Sequence, residues 1–415
     1  MNRVALLSAL ILSSAGIAGA SDEGVKLAEQ HLQAGTLAAG ETALDALLKK
    51  NPRDDQTRFA LGTLQFVRSV EGLSQSLYRH GFLHGIGRFA PFLIPGGELP
   101  VPINPQPAEL SYDQARKIVQ DFVSRLATAE ATLAKIESDD VKLPLHFGMI
   151  RLDFDGDGKA GEEETLWKIY TRFNRQVRVS QDDAKAFVIA FDAADVHWLR
   201  GYCHLLMALG EINLAHDWHE LLERAGQLLF PRIKSPYPFL TEPVPGQEQA
   251  FSFEMIADLI SFVHLINFPV AEPKRMEGAL GHLEAMASLS RRSWDLILKE
   301  TDDDHEWIPS PKQTGIIPNV RVTQEMVDGW RLFLTEAEQI LKGDKLIPFW
   351  RGNKARGVNL RKVFMQPRPL DLVMWIQGTG AAPYLEEGTL TDKAVWDRLV
   401  RVFQGEFIGF AFWFN

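Results

Sequence analysis

The chain has 415 residues, a formal net charge of −10 and a single cysteine, Cys203. The negative balance argues against a nucleic-acid-binding protein, because such a protein needs a basic face for the phosphates. One cysteine excludes an intrachain disulfide, so stability has to come from core packing, with a bound metal ion as a further candidate.

Residues 1–20 have the pattern of a cleavable signal peptide. Arg3 supplies the positive start, residues 4–17 form an apolar run, and Ala18-Gly19-Ala20 provides the small residues of a cleavage site. The apolar run is too short to span a bilayer, and no second stop-transfer segment follows it. The sequence therefore predicts a periplasmic or secreted protein, cut after Ala20, with no membrane span.

Residues 21–90 are predicted to form helical hairpins. Two amphipathic stretches flank Pro52, with Ala43, Leu44, Leu47 and Leu48 before it and Ala60, Leu61 and Gly62 after it. Between about residues 28 and 70 this pattern resembles a tetratricopeptide-type hairpin, over roughly one unit. The resemblance implies a surface for a protein or peptide partner. Stable arrays need about three repeats, so we expect the hairpin to pack against the rest of the chain.

Residues 91–110 are rich in proline and are expected to form an extended connection. The segment 111–179 begins with a capping box, Ser111 with Gln114, which predicts the start of a long helix that continues to about Ile136. Residues 142–152 favour an extended segment that leads into an acidic loop. Ser180 with Asp183 forms a second capping box.

Residues 180–300 are predicted to be a helical core, and residues 301–415 a C-terminal helical region packed on it. Residues 193–209 are apolar nearly all round, which is typical of a buried helix. The pattern predicts further helices near 213–229, 252–267, 274–299, 323–342 and 391–404, short strands at 316–322 and 358–364, and a buried terminal segment at 407–414. The predicted fold class is mainly α, a multi-helix assembly with a repeat-like N-terminal hairpin and a few short strands.

The acidic loop is the stretch whose spacing most clearly indicates a chemistry. Its sequence from residue 152 is LDFDGDGKAGEEETLW, with Asp153, Asp155 and Asp157 at alternate positions, Gly158 next and Glu164 at the twelfth position. Gly158 is expected to make the sharp turn of the loop, where φ must be positive. This stretch resembles the calcium loop of the EF-hand in all twelve positions. The resemblance implies Ca²⁺ bound by the four carboxylates and by the main-chain carbonyl of Lys159. The alternative is an acidic turn without an ion, in which four carboxylates would repel one another.

Two departures from the EF-hand pattern indicate the role of this loop. Ala160 replaces the larger aliphatic residue through which paired loops contact each other, and the segment before the loop contains Pro144 and Gly148 and is a poor helix. A calcium sensor opens a paired hand and exposes a groove, and the chain contains one such loop. The sequence therefore favours a calcium ion that stabilises the structure.

Four histidines on two predicted helices form a possible second site. His197 and His204 share one helical face with Arg200, and His216 and His219 lie three residues apart farther along. Such histidines can bind a transition metal or act in acid–base chemistry. The alternative, which we favour, is a network of internal hydrogen bonds in the core.

Three weaker patterns complete the candidates. Asp303, His305 and Glu306, next to Trp307, are either a cluster that lines a cleft or a solvated helix end. His80 and His84 lie one turn apart if that segment is helical, and glycines after both weaken the helix. Cys203 lies in the apolar helix, where we expect an inert buried thiol.

Two functions remain open at the level of sequence. The first is a non-enzymatic exported calcium-binding protein with a scaffold or binding role. The second is a metal-dependent or acid–base hydrolase that uses either the region of the four histidines or the cluster at 303–306.

Overall fold

The structure is a computed structural model that describes residues 22–83, 101–173, 180–242, 253–303, 305–316, 321–351, 356–403, 405 and 407–414. The described residues are mainly α-helical with short two-residue and four-residue strands, which confirms the predicted class. The signal-peptide prediction for residues 1–20 lies outside the described residues, as do His84 and the first half of the proline-rich connection.

The chain divides into two units, and each is assembled from three separate stretches. The first unit comprises residues 1–72, 124–203 and 289–323, and the second comprises residues 73–123, 204–288 and 324–415. This division differs from the predicted order of contiguous segments, because four long helices contribute residues to both units. These helices are α3 (Asp55–Arg79), α4 (Tyr112–Leu133), α7 (Ala193–Ala215) and α10 (Pro273–Ile297).

The first unit also contains the N-terminal helices and the only four-residue strands among the described residues. Its remaining elements are α1 (22–34), α2 (Leu37–Lys50), β1 (Lys142–Leu145), α5 (Leu166–Phe173), α6 (Gln181–Ala186) and β2 (Ile189–Asp192). Strands β1 and β2 pair antiparallel, with Lys142 opposite Asp192 and Leu145 opposite Ile189. One apolar core joins α1–α3, the two strands and the start of α7.

The second unit holds the rest of the helices and two very small sheets. Its elements are α8 (His219–Ala225), α9 (Phe253–Leu265), β3 (Asn267–Phe268), α11 (Gln324–Lys342), β4 (Ile347–Pro348), β5 (Gly357–Val358), α12 (Leu360–Met365), β6 (Leu370–Asp371), α13 (Leu372–Gln377), β7 (Leu385–Glu386), α14 (Lys393–Val402) and α15 (Phe407–Phe414). Strand β3 pairs with β6, and β5 lies between β4 and β7. Several separate apolar clusters hold these elements together.

Both capping boxes that the sequence predicts are formed. The Gln114 main-chain N–H donates to Ser111 Oγ (3.3 Å), and the Ser111 N–H donates to Gln114 Oε1 (2.9 Å). Ser180 and Asp183 make the same reciprocal pair at the start of α6. Because each cap satisfies main-chain donors that have no partner within the helix, these short motifs fix where α4 and α6 begin.

Close packing of the N-terminal helices depends on small residues. A Cβ added to Gly40 on α2 would lie 2.6 Å from His31 Cβ on α1 and 2.7 Å from Leu64 Cδ1 on α3. A side chain at this position would therefore force the three helices apart. The helices on either side of Pro52 are present, while membership of the tetratricopeptide family stays a resemblance.

Two predictions of local structure are wrong. The helix predicted at 213–229 is broken, because α7 ends at Ala215 and the Asp217 N–H donates to the Pro269 carbonyl (2.8 Å) before α8 begins. The strand predicted at 358–364 is mostly helix α12, since Asn359 Oδ1 accepts the Lys362 N–H and caps it. Most of the strand predicted at 316–322 lies outside the described residues.

None of the helices among the described residues is both long enough and apolar enough to cross a lipid bilayer.

Candidate metal centre

The acidic loop is fixed at both ends to the core of the first unit. Arg151 and Thr165 form an antiparallel bridge at the base of the loop, and the Leu166 N–H donates to the Ile150 carbonyl (2.9 Å). The side chains of Leu152 and Phe154 are each 2% exposed and belong to the same apolar cluster as α1–α3. Burial of each such side chain stabilises this anchor by about 1.5–3 kcal/mol.

The loop follows an extended segment, as the sequence predicts. Strand β1 and a short 3-10 turn at 147–149 precede it, so no long helix enters the loop. A 3-10 turn at 162–164 and helix α5 follow it. Within the loop, Gly156 and Gly158 have φ of 75° and 85°, a region that L-residues rarely adopt. Gly158 was predicted to make this turn, and Gly156 adds a second one.

Main-chain N–H groups orient the carboxylates of the loop. Asp153 accepts from Gly156 at Oδ1 (2.7 Å) and from Gly158 at Oδ2 (3.0 Å). Glu164 accepts from Phe154 at Oε1 (2.8 Å) and from Gly161 at Oε2 (2.7 Å). Each carboxylate oxygen has two lone pairs, so one main-chain hydrogen bond leaves capacity for a cation.

Three of the predicted ligands converge. One carboxylate oxygen from each of Asp153, Asp155 and Glu164 lies within 4.8 Å of the other two. Calcium–oxygen distances are about 2.3–2.6 Å, so two ligands on opposite sides of one ion can be about 5 Å apart. The spacing therefore suits a single Ca²⁺.

Asp157 and Lys159 lie at the exposed tip of the loop. Asp157 is not part of the converging set, and its Oδ1 accepts the Lys159 N–H (2.7 Å). Asp155 Oδ1 accepts the Asp157 N–H (3.0 Å), so the tip is held by successive side-chain turns. The exposed Lys159 side chain takes no part in these turns, and Lys159 would bind an ion through its carbonyl group.

The electrostatics of the loop favour a bound cation. Burial raises the pKa of Glu164, and the negative charges of Asp155 and Asp153 raise it further, against the lowering effect of the two N–H donors. A positive ion among the three carboxylates would offset both effects, because it stabilises the ionised form directly.

Sequence reasoning missed one carboxylate that supports this loop from outside. Glu71 on α3 is buried, and its Oε1 accepts the Asp153 N–H (3.0 Å). Burial raises the pKa of Glu71 to about 7, with a further contribution from the charge of Asp153, while Arg68 and Arg125 lower it. The two residues that meet are 82 positions apart, so no local pattern could have indicated the contact.

The four histidines of the predicted second site have different surroundings. In the first unit, burial lowers the pKa of His197 to about 4, and the nearby Arg200 and Arg292 lower it further. In the second unit, His216 Nδ1 is hydrogen-bonded to the Ile212 carbonyl (2.8 Å) in the core.

The remaining two histidines each have a side-chain partner within the second unit. His219 Nε2 lies 3.1 Å from Glu223, one helical turn away. His204 Nδ1 lies 2.8 Å from His282 Nδ1 on α10, a partner that sequence reasoning did not identify. Among the described residues, the clusters of three or more acidic, histidine or cysteine side chains with metal-ligand spacing contain none of these histidines.

The predicted cluster at 303–306 is dispersed. Asp303 is exposed and accepts the Thr314 N–H (2.6 Å), and His305 is exposed with a φ of 61°. The His305 carbonyl accepts the Ala190 N–H just inside β2 (3.3 Å), which directs the neighbouring Glu306 inward. Trp307 packs against Phe147, Phe191 and Trp198.

Glu306 instead joins a second acidic cluster with Asp192 and Glu300. Their carboxylate oxygens lie within 4.8 Å of one another. Asp192 also caps α7 by accepting the Ala194 N–H (2.8 Å), and Gln313 donates to Glu300 (3.1 Å). Burial and the charge of Asp192 raise the pKa of Glu300 to about 8.

Comparison with known proteins adds no further information. No family model, no curated protein and no solved structure matches this chain.

The two remaining candidates from the sequence, His80 and Cys203, both lie in positions that support the fold. His80 Nδ1 is hydrogen-bonded to the Ala108 carbonyl (3.2 Å), and its buried position lowers its pKa. Cys203 is fully buried in α7, and burial raises the pKa of its thiol, which disfavours the reactive thiolate.

Proposed function

We propose that this chain is an exported calcium-binding protein in which a single Ca²⁺ mainly stabilises the fold. The observation that carries the proposal is the convergence of Asp153, Asp155 and Glu164 within 4.8 Å on a loop with two positive-φ glycines. A tight turn that gathers hard oxygen donors is what calcium requires. The wider role is that of a binding or scaffold protein, with the helices α1–α3 as the surface for a protein or peptide partner.

The attachment of the loop supports a structural role for the ion. Buried side chains on both sides of Asp153 anchor it, and Glu71 holds the Asp153 main chain from α3. An ion that binds here would connect α5, the bridge at the loop base and α3 through one rigid loop. A sensor would need an element with two alternative positions, which nothing in this attachment provides.

The hydrolase alternative has weaker support. Its best candidate is the pair of Asp192 and Glu300, because burial raises the pKa of both carboxyl groups, and carboxyl groups with a raised pKa can act in acid–base chemistry. However, Asp192 caps a helix and Glu300 is held by Gln313, and both roles stabilise the fold. We therefore place the calcium-binding function first.

Flow dialysis of the metal-free full chain with radioactive calcium tests the proposal. We expect one ion per chain with a Kd on the order of 10⁻⁴–10⁻³ M, typical of an extracellular module. Glu164→Gln should abolish this binding, while Glu163→Gln, a change in the same turn at an exposed position, should leave it intact. Equal binding by both variants, or none by the wild type, would contradict the proposal.

A further inference from the structure

We propose that His204 and His282 form a binding site for a divalent transition metal, with Cu²⁺ as the preferred ion. His204 lies on α7 and His282 on α10, and both residues belong to the second unit. Their Nδ1 atoms are 2.8 Å apart, and the ring centroids are 5.1 Å apart with the planes tilted by 43°. Both residues are half-buried, so neither is sealed in the core.

The distance between the two nitrogens indicates a coordination geometry. A metal binds imidazole nitrogen at about 2.0–2.1 Å. Two such ligands are about 2.8–3.0 Å apart when they subtend 90° at the ion, and about 3.3–3.4 Å apart at the tetrahedral angle. The observed 2.8 Å therefore matches neighbouring positions of a square-planar or tetragonal centre. That geometry is characteristic of Cu²⁺ and Ni²⁺, and Cu²⁺ binds nitrogen ligands more tightly.

The helices hold the two rings in a fixed register. Two turns along from the histidines, Arg275 on α10 donates to Glu211 on α7 (2.9 Å). Between these two contacts, Ala208 and Ala279 are fully buried in one apolar cluster, where their small side chains permit close approach. A metal would thus meet two imidazoles that are already placed, and little conformational entropy would be lost on binding.

The hydrogen-bonded pair can bind a metal after a change of tautomer in one ring. Because the two Nδ1 atoms are 2.8 Å apart, at least one of them must be unprotonated, since two facing N–H groups would repel each other. On binding, the proton on the donor Nδ1 moves to Nε2 of the same neutral ring, so both Nδ1 atoms can coordinate. Water completes the coordination, since the described residues supply no third acidic, histidine or cysteine ligand with the required spacing.

The test uses the full chain freed of transition metals and kept in excess Ca²⁺, so that the acidic loop does not compete. Titration with Cu²⁺ is followed by electron paramagnetic resonance, in which each coordinated imidazole splits the copper signal. We expect one Cu²⁺ per chain with coupling to two imidazole nitrogens. Each of His204→Gln and His282→Gln should weaken binding by about tenfold or more and reduce the coupling to one nitrogen, because one of two protein ligands is lost.

Two control variants test whether Cu²⁺ binding is specific to the His204–His282 pair and independent of the calcium loop. His264→Gln changes an exposed histidine on α9 of the same unit and should leave Cu²⁺ binding unchanged. Glu164→Gln should also leave it unchanged, so failure of the calcium proposal would not affect this result. A wild-type spectrum without coupling to two nitrogens, or wild-type affinity in both His204→Gln and His282→Gln, would show that the pair is only a hydrogen bond.

Discussion

Glu164→Gln perturbs the candidate calcium site in two separable ways. It removes one negative charge and one bidentate ligand, and it also places an amide group beside the N–H donors of Phe154 and Gly161. An amide has one acceptor oxygen, so one of these hydrogen bonds is lost even without an ion. We expect a loss of about 1–2 kcal/mol in the metal-free protein, which makes the response to calcium the informative quantity.

The size of that response follows from linkage. Calcium at tenfold excess over Kd stabilises the native state by about 1.4 kcal/mol, and at hundredfold excess by about 2.7 kcal/mol. Unfolding entropy is about 2.1 cal/mol/K per residue, or about 0.8 kcal/mol/K for the roughly 395 residues after the predicted signal peptide. The wild-type Tm should therefore rise by about 2 °C and about 3 °C, respectively.

Differential scanning calorimetry in millimolar calcium and in chelator measures this shift. The matched control is Glu163→Gln, whose exposed side chain pairs with Lys168 (3.3 Å), and it should shift like the wild type. Lys159→Ala should do the same, because only its carbonyl group could contribute to the site. If the wild type and Glu164→Gln responded equally to calcium, the loop would be an acidic turn and the reasoning would fail.

Three further outcomes are expected. The pKa of Glu300 is raised to about 8, so the free energy of unfolding should fall as the pH rises from 4.5 to 8. Measured by urea unfolding, Glu300→Gln should lose about 1–3 kcal/mol less than the wild type over this interval, and parallel curves for the two proteins would refute the raised pKa. The pKa of His197 is lowered to about 4, so the unfolded chain binds a proton before the folded chain does as the pH falls below 6.5. This should lower the free energy of unfolding of the wild type by about 1–2 kcal/mol at acid pH, and His197→Gln should remove that loss. An unchanged pH dependence in His197→Gln would show that burial does not lower the pKa of this ring. Intact-mass analysis of secreted or periplasmic protein should find a chain that starts at Ser21, and a chain retaining Met1 would rule out export by this signal.

Local chemistry in the sequence was sufficient to predict several features. The caps at Ser111 and Ser180 and the positive φ of Gly158 depend on residues within a few positions, and each is present. The strand predicted at 358–364 failed because its apolar residues suit either structure, and the cap by Asn359 selects helix.

Contacts between distant residues could not be predicted in this way. Glu71 meets the loop across 82 positions, and His282 meets His204 across 78. Neither residue stands in a recognisable motif, and each acquires its role only when packing brings two distant stretches of the chain together. The same limit explains why Glu306 was grouped with Asp303 and His305 in the sequence. Its actual partners are Asp192, the last residue of β2, and Glu300, which follows the end of α10.

The order of the stretches along the chain has a consequence for biosynthesis. Residues 289–323 complete the first unit, so a nascent chain on the ribosome cannot finish that unit until residue 323 has been made. The earlier stretches expose apolar surface during this interval, and contacts between distant stretches form slowly. We therefore expect the newly made polypeptide to depend on chaperones, and truncations at any point before residue 323 to aggregate instead of yielding a folded fragment.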